Sequence, residues 1–288
     1  MTAIGGGRLN GSLLAFWAAR TICTRAQRRV ADRAGSLLLA LSVAAVLLTG
    51  AAGPISAQSP EQTDEVEDRG YYQSYVFGRP DEPSRAWLLA YGGRLYDRWW
   101  AVLLRDPPSG THPSYPEDGP KAGAESWRCV TCHGWGHRGG KHGSGLAGAR
   151  GADPETIVAR LRDGTHRFTP DLLPDQAAMA LARFVTEGQP PDAVFDPATG
   201  GFAGDATRGR EIFQNVCAIC HDFDGGAWIS GDTDSGASLG EIARGNPARA
   251  LHIVMNGQTY ADMPAMRAFG LATVVDILTH VQTLERRD

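Results

Sequence analysis

Four of the five cysteines in the chain fall in two identical patterns, Cys129-Val-Thr-Cys132-His133 and Cys217-Ala-Ile-Cys220-His221. Chance would supply roughly 0.002 such matches in a chain of this composition, so the repeat constrains the fold. The spacing sets two thiols one helical turn apart with an imidazole directly after the second. Structural zinc uses such thiols but does not need a His straight after each pair, and the two pairs lie farther apart than in ribbon or finger sites. Disulfides suit an exported chain, yet they also leave the His without a role. Covalent haem attachment uses all three groups: each thiol adds to one vinyl group of a porphyrin, and the imidazole ligates its iron. Cys129, Cys132, Cys217 and Cys220 are therefore the candidate attachment points of two haem c groups, with His133 and His221 as proximal ligands.

The N-terminus carries an export signature. An uncharged apolar run over 37–48 follows Arg20, Arg25, Arg28, Arg29 and Arg33 and leads into Ile55-Ser56-Ala57, the layout of a secretory signal. Residues 1–57 read as a signal peptide cleaved near Ala57, taking Cys23 with it. Stretched to Gly35–Ile55, the run just reaches the ~20 apolar residues of a membrane span, which leaves an uncleaved anchor as the alternative. The formal charge is −4, but residues 1–57 hold six Arg against one Asp, so the 22 basic and 31 acidic residues that follow give a net −9. An acidic body repels a phosphate backbone, which argues against nucleic acid and for partners with basic protein surfaces.

Beyond the leader, 58–83 is acidic at first and lacks apolar period, and reads as a disordered or extended tether. The 36 Gly and 17 Pro predict short elements joined by long loops. From Ser84 to Leu104, Trp87, Leu88, Tyr91, Leu95, Tyr96, Trp99, Trp100, Leu103 and Leu104 recur at helical steps, predicting a helix with one broad apolar face, Ser84 as N-cap and Pro107-Pro108 as stop. Further helices are expected over 154–163, 174–187, 207–217, 247–255 and 271–286, with few strands. The pattern predicts a mostly α protein in two units, 84–188 with an inserted loop 105–126, and 205–288, joined by a Gly- and Pro-rich linker 189–204.

The chain resembles a di-haem c-type cytochrome built from two class-I-like cytochrome c domains. In the second unit, Gly209-Arg-Glu-Ile-Phe213-Gln-Asn-Val-Cys217 is similar to the family's first helix, whose small and aromatic residues pack on the closing helix, here Leu271–Leu284. Asp262-Met263-Pro264-Ala265 resembles its axial Met-Pro segment. The resemblance implies Met263 as distal ligand of the second haem, with Met266 as the rival. The first unit departs from the family, because Pro and Gly rather than a helix precede Cys129 and no Met-Pro occurs between His133 and the closing helix Leu173–Val185. Its corresponding loop contains His166, the candidate distal ligand of the first haem, ahead of Met179 on the following helix. His137 and His142, in a Gly-rich loop, are expected to be solvated or to contact a propionate, and His112, His252 and His280 to be ordinary. Arg128, Arg138, Arg167 and Arg244 are propionate partners or surface charges, and Trp127 and Trp135 shield a ring or merely pack.

The function implied is a periplasmic electron carrier, its irons ligated on both faces, working between a dehydrogenase or quinol-linked donor and an acceptor through redox partner proteins. Two alternatives accompany it. One is a di-haem enzyme, such as a thiosulfate-oxidising dehydrogenase or a peroxidase, although no acid-base partner surrounds His166. The other is an accessory cytochrome subunit, with Tyr71–Leu104 as its docking arm.

Overall fold

The computed structural model describes residues 80–227, 238–259 and 261–285, so the leader, Cys23 and most of the tether lie outside the described residues. All of these residues belong to one compact unit, Gln62–Asp288. The protein is mostly helical. No strand occurs among the described residues, and two isolated bridges, Gly140–Gly143 and Phe195–Phe202, are the only β pairings there.

The first half holds α1 (Arg85–Val102), α2 (Cys129–His133), α3 (Pro154–Arg162) and α4 (Asp175–Arg183), the last running into a π turn at Phe184–Gly188. The second holds α5 (Ala206–Ile212), continuing through a π turn at Phe213–Cys217 into α6 (Ala218–His221), then α7 (Leu239–Gly245), α8 (Pro247–Asn256) and α9 (Leu271–Val281). The caps explain the starts. Ser84 accepts from the Trp87 amide, Asp153 caps α3 with Pro154 at its first turn, and Asp205 accepts from Thr207 and Arg208. Ser238 and Glu241 form a reciprocal capping box on α7, a helix absent from the sequence reading although its Ser-x-x-Glu signature is present.

Each half buries its own core. Leu95, Trp99, Leu161, Phe168, Leu173, Leu181 and Phe184 pack in the first, and Phe213, Leu251, Met255, Val274, Ile277 and Leu278 in the second. The expectation of one apolar face on α1 is corrected. Gly92, Gly93, Arg94 and Asp97 are buried as well, because α1 packs against both α4 and α8. Adjacent glycines permit this: a Cβ on Gly92 would strike the Ala180 carbonyl of α4, and one on Gly93 the Asn256 side chain at the end of α8. The same burial removes the docking-arm reading for 85–102, since Tyr91, Tyr96 and Trp99 are core residues. Leu104 lies past the end of α1 and is exposed. The Gly- and Pro-rich stretch 189–204 is strapped down: Arg150 pairs with Asp192 at 2.7 Å, and the Gly204 amide donates to Thr279 of α9 at 2.9 Å.

Candidate haem sites

The first motif occupies α2, one and a half turns long, entered from a 3-10 turn at Gly123–Trp127 rather than from a bare loop. Thr131, between the two thiols, donates its hydroxyl to the Glu125 carbonyl at 2.7 Å, tying α2 to that turn. Tyr96 of α1 donates to the Gly134 carbonyl at 2.8 Å, fixing the exit. The Gly-rich chain then folds back, so that the ring of His133 meets the Ser144 carbonyl at 2.7 Å through Nδ1. A carbonyl only accepts, so this Nδ1 carries the proton and Nε2 is the nitrogen left to ligate. None of the four motif cysteines is paired in a disulfide. Burial pushes the Cys129 thiol up to about 12 and Cys217 to about 11.

His166 lies in the loop after α3, about 30 residues along the chain from His133. The two rings are nevertheless neighbours, 6.1 Å between centroids with planes 21° apart. The His166 Nδ1 sits 2.9 Å from the Arg160 carbonyl and 3.3 Å from Asp163 Oδ1, so it too carries its proton and leaves Nε2 to ligate. The loop is built to hold this position. Asp163 accepts from the amides of Thr165 and His166 at 2.9 and 3.0 Å. The inserted loop 105–126 clasps it from outside: Ser114 donates to the Thr165 carbonyl at 2.6 Å, and His112 Nε2 meets the His166 carbonyl at 2.8 Å. Burial lowers the pKa of His112, and its ring is a spacer for His166 rather than the ordinary His expected.

Two neighbouring imidazoles, each with Nδ1 on an oxygen acceptor, are a donor set that would suit an iron. The 6.1 Å between their centroids is close to the roughly 6 Å that two imidazoles sharing one metal through nitrogen–metal bonds of about 2 Å would show. Ligating imidazoles generally donate their second nitrogen to a carbonyl or carboxylate, as His133 and His166 both do.

The second motif follows α5 without a break. Gly209 lies against the Asp276 carbonyl of α9, where a Cβ would collide, and Phe213 is 1% exposed with its ring 5.4 Å from His280. Asp276, 3% exposed, accepts from the Asp205 amide at 2.7 Å and pairs with Arg208, locking α5 to α9. The His221 ring again uses Nδ1 on a carbonyl, that of Ala227, at 3.2 Å. Met266 is 4% exposed within the second core, whereas Met263 is half-buried in the loop between α8 and the 3-10 turn Met266–Phe269. Packing gives Met266 a sufficient role.

Two comparisons with known proteins match parts of this chain. Residues 204–281 match the family described as cytochrome c oxidase, cbb3-type, subunit III. A relative named cytochrome c-553-like, from Synechocystis sp., is 35% identical over 96 residues, 31% of this chain and 82% of that protein. The chain belongs to the cytochrome c family. A cytochrome c carries electrons on haem iron, and the match in this cytochrome spans α5 to α9 with the second motif inside it. Among the described residues, no helix of the cytochrome is long and apolar enough to cross a membrane.

Several side chains sit where the sequence did not place them. His137 is not solvated: it is 2% exposed, its ring packed on Tyr96, Phe184 and His252 at 5.0, 5.4 and 6.0 Å. His252 is 5% exposed and its Nε2 lies 2.9 Å from the Gly93 carbonyl of α1. His142 is half-buried against Tyr115. The four arginines considered for propionates all have protein partners: Arg128 pairs with Asp97 and Glu125, Arg138 donates to the Asp192 carbonyl, Arg167 to Gly164 and Arg244 to Gln282 and Leu284. Trp127 donates to the Gly110 carbonyl at 2.7 Å. Trp135 packs edge-on to His252 of α8 at 5.1 Å. Met179 stays on α4.

Proposed function

We propose that this cytochrome is an exported di-haem electron carrier of the periplasm. One haem c is held by Cys129 and Cys132 with His133 and His166 as iron ligands, and the other by Cys217 and Cys220 with His221 and Met263. The observation that carries the reading is the His133–His166 pair, 6.1 Å between centroids with both Nδ1 atoms turned to oxygen acceptors. The bound groups supply two irons that cycle between ferrous and ferric states.

The chain's own residues set how they do so. Carbonyls of Ser144, Arg160 and Ala227 hold the Nδ1 protons of His133, His166 and His221, so each Nε2 keeps its lone pair through a redox cycle and ring orientation is fixed in advance. The clasp of Ser114 and His112 on the His166 loop keeps an exchangeable ligand from reaching the first iron, which favours a carrier over an enzyme. A bis-imidazole site would have a lower potential than an imidazole–thioether site, so His166 and Met263 would make the first half the lower-potential end.

Replacement of His166 by Ala in the holoprotein tests this. Magnetic spectroscopy of the ferric state is expected to show two low-spin haems in the wild type and one high-spin haem in the variant. Two low-spin haems in the variant would remove His166 from the ligand set.

A further inference from the structure

The loop that carries Met263 is anchored across the two halves by a buried polar contact. Thr259, 1% exposed, donates its hydroxyl to Asp97 Oδ2 of α1 at 2.9 Å. Asp97, 5% exposed, spends its other oxygen on Arg128, whose Nε also donates to the Asp97 backbone carbonyl at 3.2 Å. Arg128 immediately precedes Cys129 and is held from its other side by Glu125 at 2.6 Å. One carboxylate thus divides its two oxygens between the approach to the first Cys-x-x-Cys-His motif and the Met263 loop of the second half.

The base of that loop is fixed separately. Gly257 turns the chain out of α8 at φ 84, and the Met263 carbonyl returns against it, where a Cβ would lie 2.7 Å away. Asn256, just before, accepts from Arg267 at 2.7 Å, and Arg267 donates in turn to Gly188 of the first half at 3.0 Å. Residues 257–259 and 261–263 are not helical, so the position of Met263 depends on these side-chain anchors. Of them, Thr259 sits inside the loop.

We propose that Thr259 is a positioning residue for Met263, working through Asp97, and that Asp97 couples the loop of one haem site to the attachment segment of the other. This rests on Met263 being the distal ligand of the second haem. A buried hydroxyl–carboxylate bond lost from such a loop raises its open population by about tenfold.

The test uses the ferric and ferrous holoprotein, with imidazole as the probe of loop opening. In Thr259→Val, the near-infrared Met–iron charge-transfer band weakens, the higher of the two midpoint potentials falls, and imidazole binds the second haem about tenfold more tightly. Thr259→Ser restores all three, and the bis-imidazole signal of the first haem stays unchanged in both. Asp97→Asn moves the signals of both haems. If the Thr259→Val protein does not assemble, Thr259→Ala and Thr259→Ser are compared by the same three readouts. An unchanged band, potential and imidazole affinity beside an intact wild-type band would overturn the role of Thr259 alone. A wild type without the band, or one that keeps it in Met263→Ala, would overturn the Met263 assignment and the present inference with it.

Discussion

Replacing His137 with Phe removes a titrating group from the contact between the two halves without emptying its place. The ring is 2% exposed, and neither Nδ1 nor Nε2 has a hydrogen-bond partner among the described residues. Burial lowers its pKa from 6.5 to about 3, and the guanidinium groups of Arg150 and Arg267 push it the same way. Because the folded pKa is depressed, the neutral ring's stability is fully present above the unfolded value near 6.5 and is lost as the pH falls toward 3. Between pH 7 and pH 5 the loss from this one residue is about 2 kcal/mol, at about 1.36 kcal/mol per pH unit below the unfolded pKa. Phe packs against Tyr96 and Phe184 as the imidazole does and leaves no polar atom unpaired, which is worth about 1–3 kcal/mol. The backbone at φ 57 suits His better than Phe, a cost that is the same at both pH values. The holoprotein of His137→Phe is therefore expected to be at least as stable as wild type at pH 7 and to lose about 2 kcal/mol less on going to pH 5. Urea titrations at the two pH values, followed by far-UV circular dichroism, measure both quantities. Equal pH dependence in the two proteins would refute the buried, neutral state of His137.

Two further substitutions probe the elements that carry the second motif. Gly209→Ala forces a methyl against the Asp276 carbonyl and is expected to cost about 1–3 kcal/mol, read as a lowered thermal midpoint; an unchanged midpoint would show that α5 and α9 do not pack this closely. Ser238→Ala removes the capping box of α7 and is expected to cost about 1 kcal/mol in urea, with the haem spectra unmoved; a spectral change would place α7 in the ligand shell.

Local signals carried much of this architecture. Ser84, Asp153 and Pro154 cap or open their helices as their side chains dictate, and the Cys-x-x-Cys-His spacing lands on helical turns in both halves. Gly209 and Phe213 meet α9 as the family resemblance implied. What was not legible depends on contacts between distant segments. Arg94 and Asp97 fall where the period of α1 assigns solvent, yet they are buried because α8 of the other half covers that side. His137 sits among glycines, which locally read as an exposed loop, and only the return of the chain onto Tyr96 and Phe184 buries it. The role of insertion 105–126 was hidden for the same reason: Ser114 and His112 find their acceptors some fifty residues away, at Thr165 and His166. The kink of α1 at Arg98, φ −143 and ψ 80, has no Pro or Gly to announce it.

The number of haems on the mature chain tests the central claim most directly. Intact-mass spectrometry of the purified holoprotein, followed by peptide mapping, is expected to find two porphyrin adducts, one on the peptide with Cys129 and Cys132 and one on that with Cys217 and Cys220. A single adduct on the second pair would leave a mono-haem cytochrome and contradict the account of the first half.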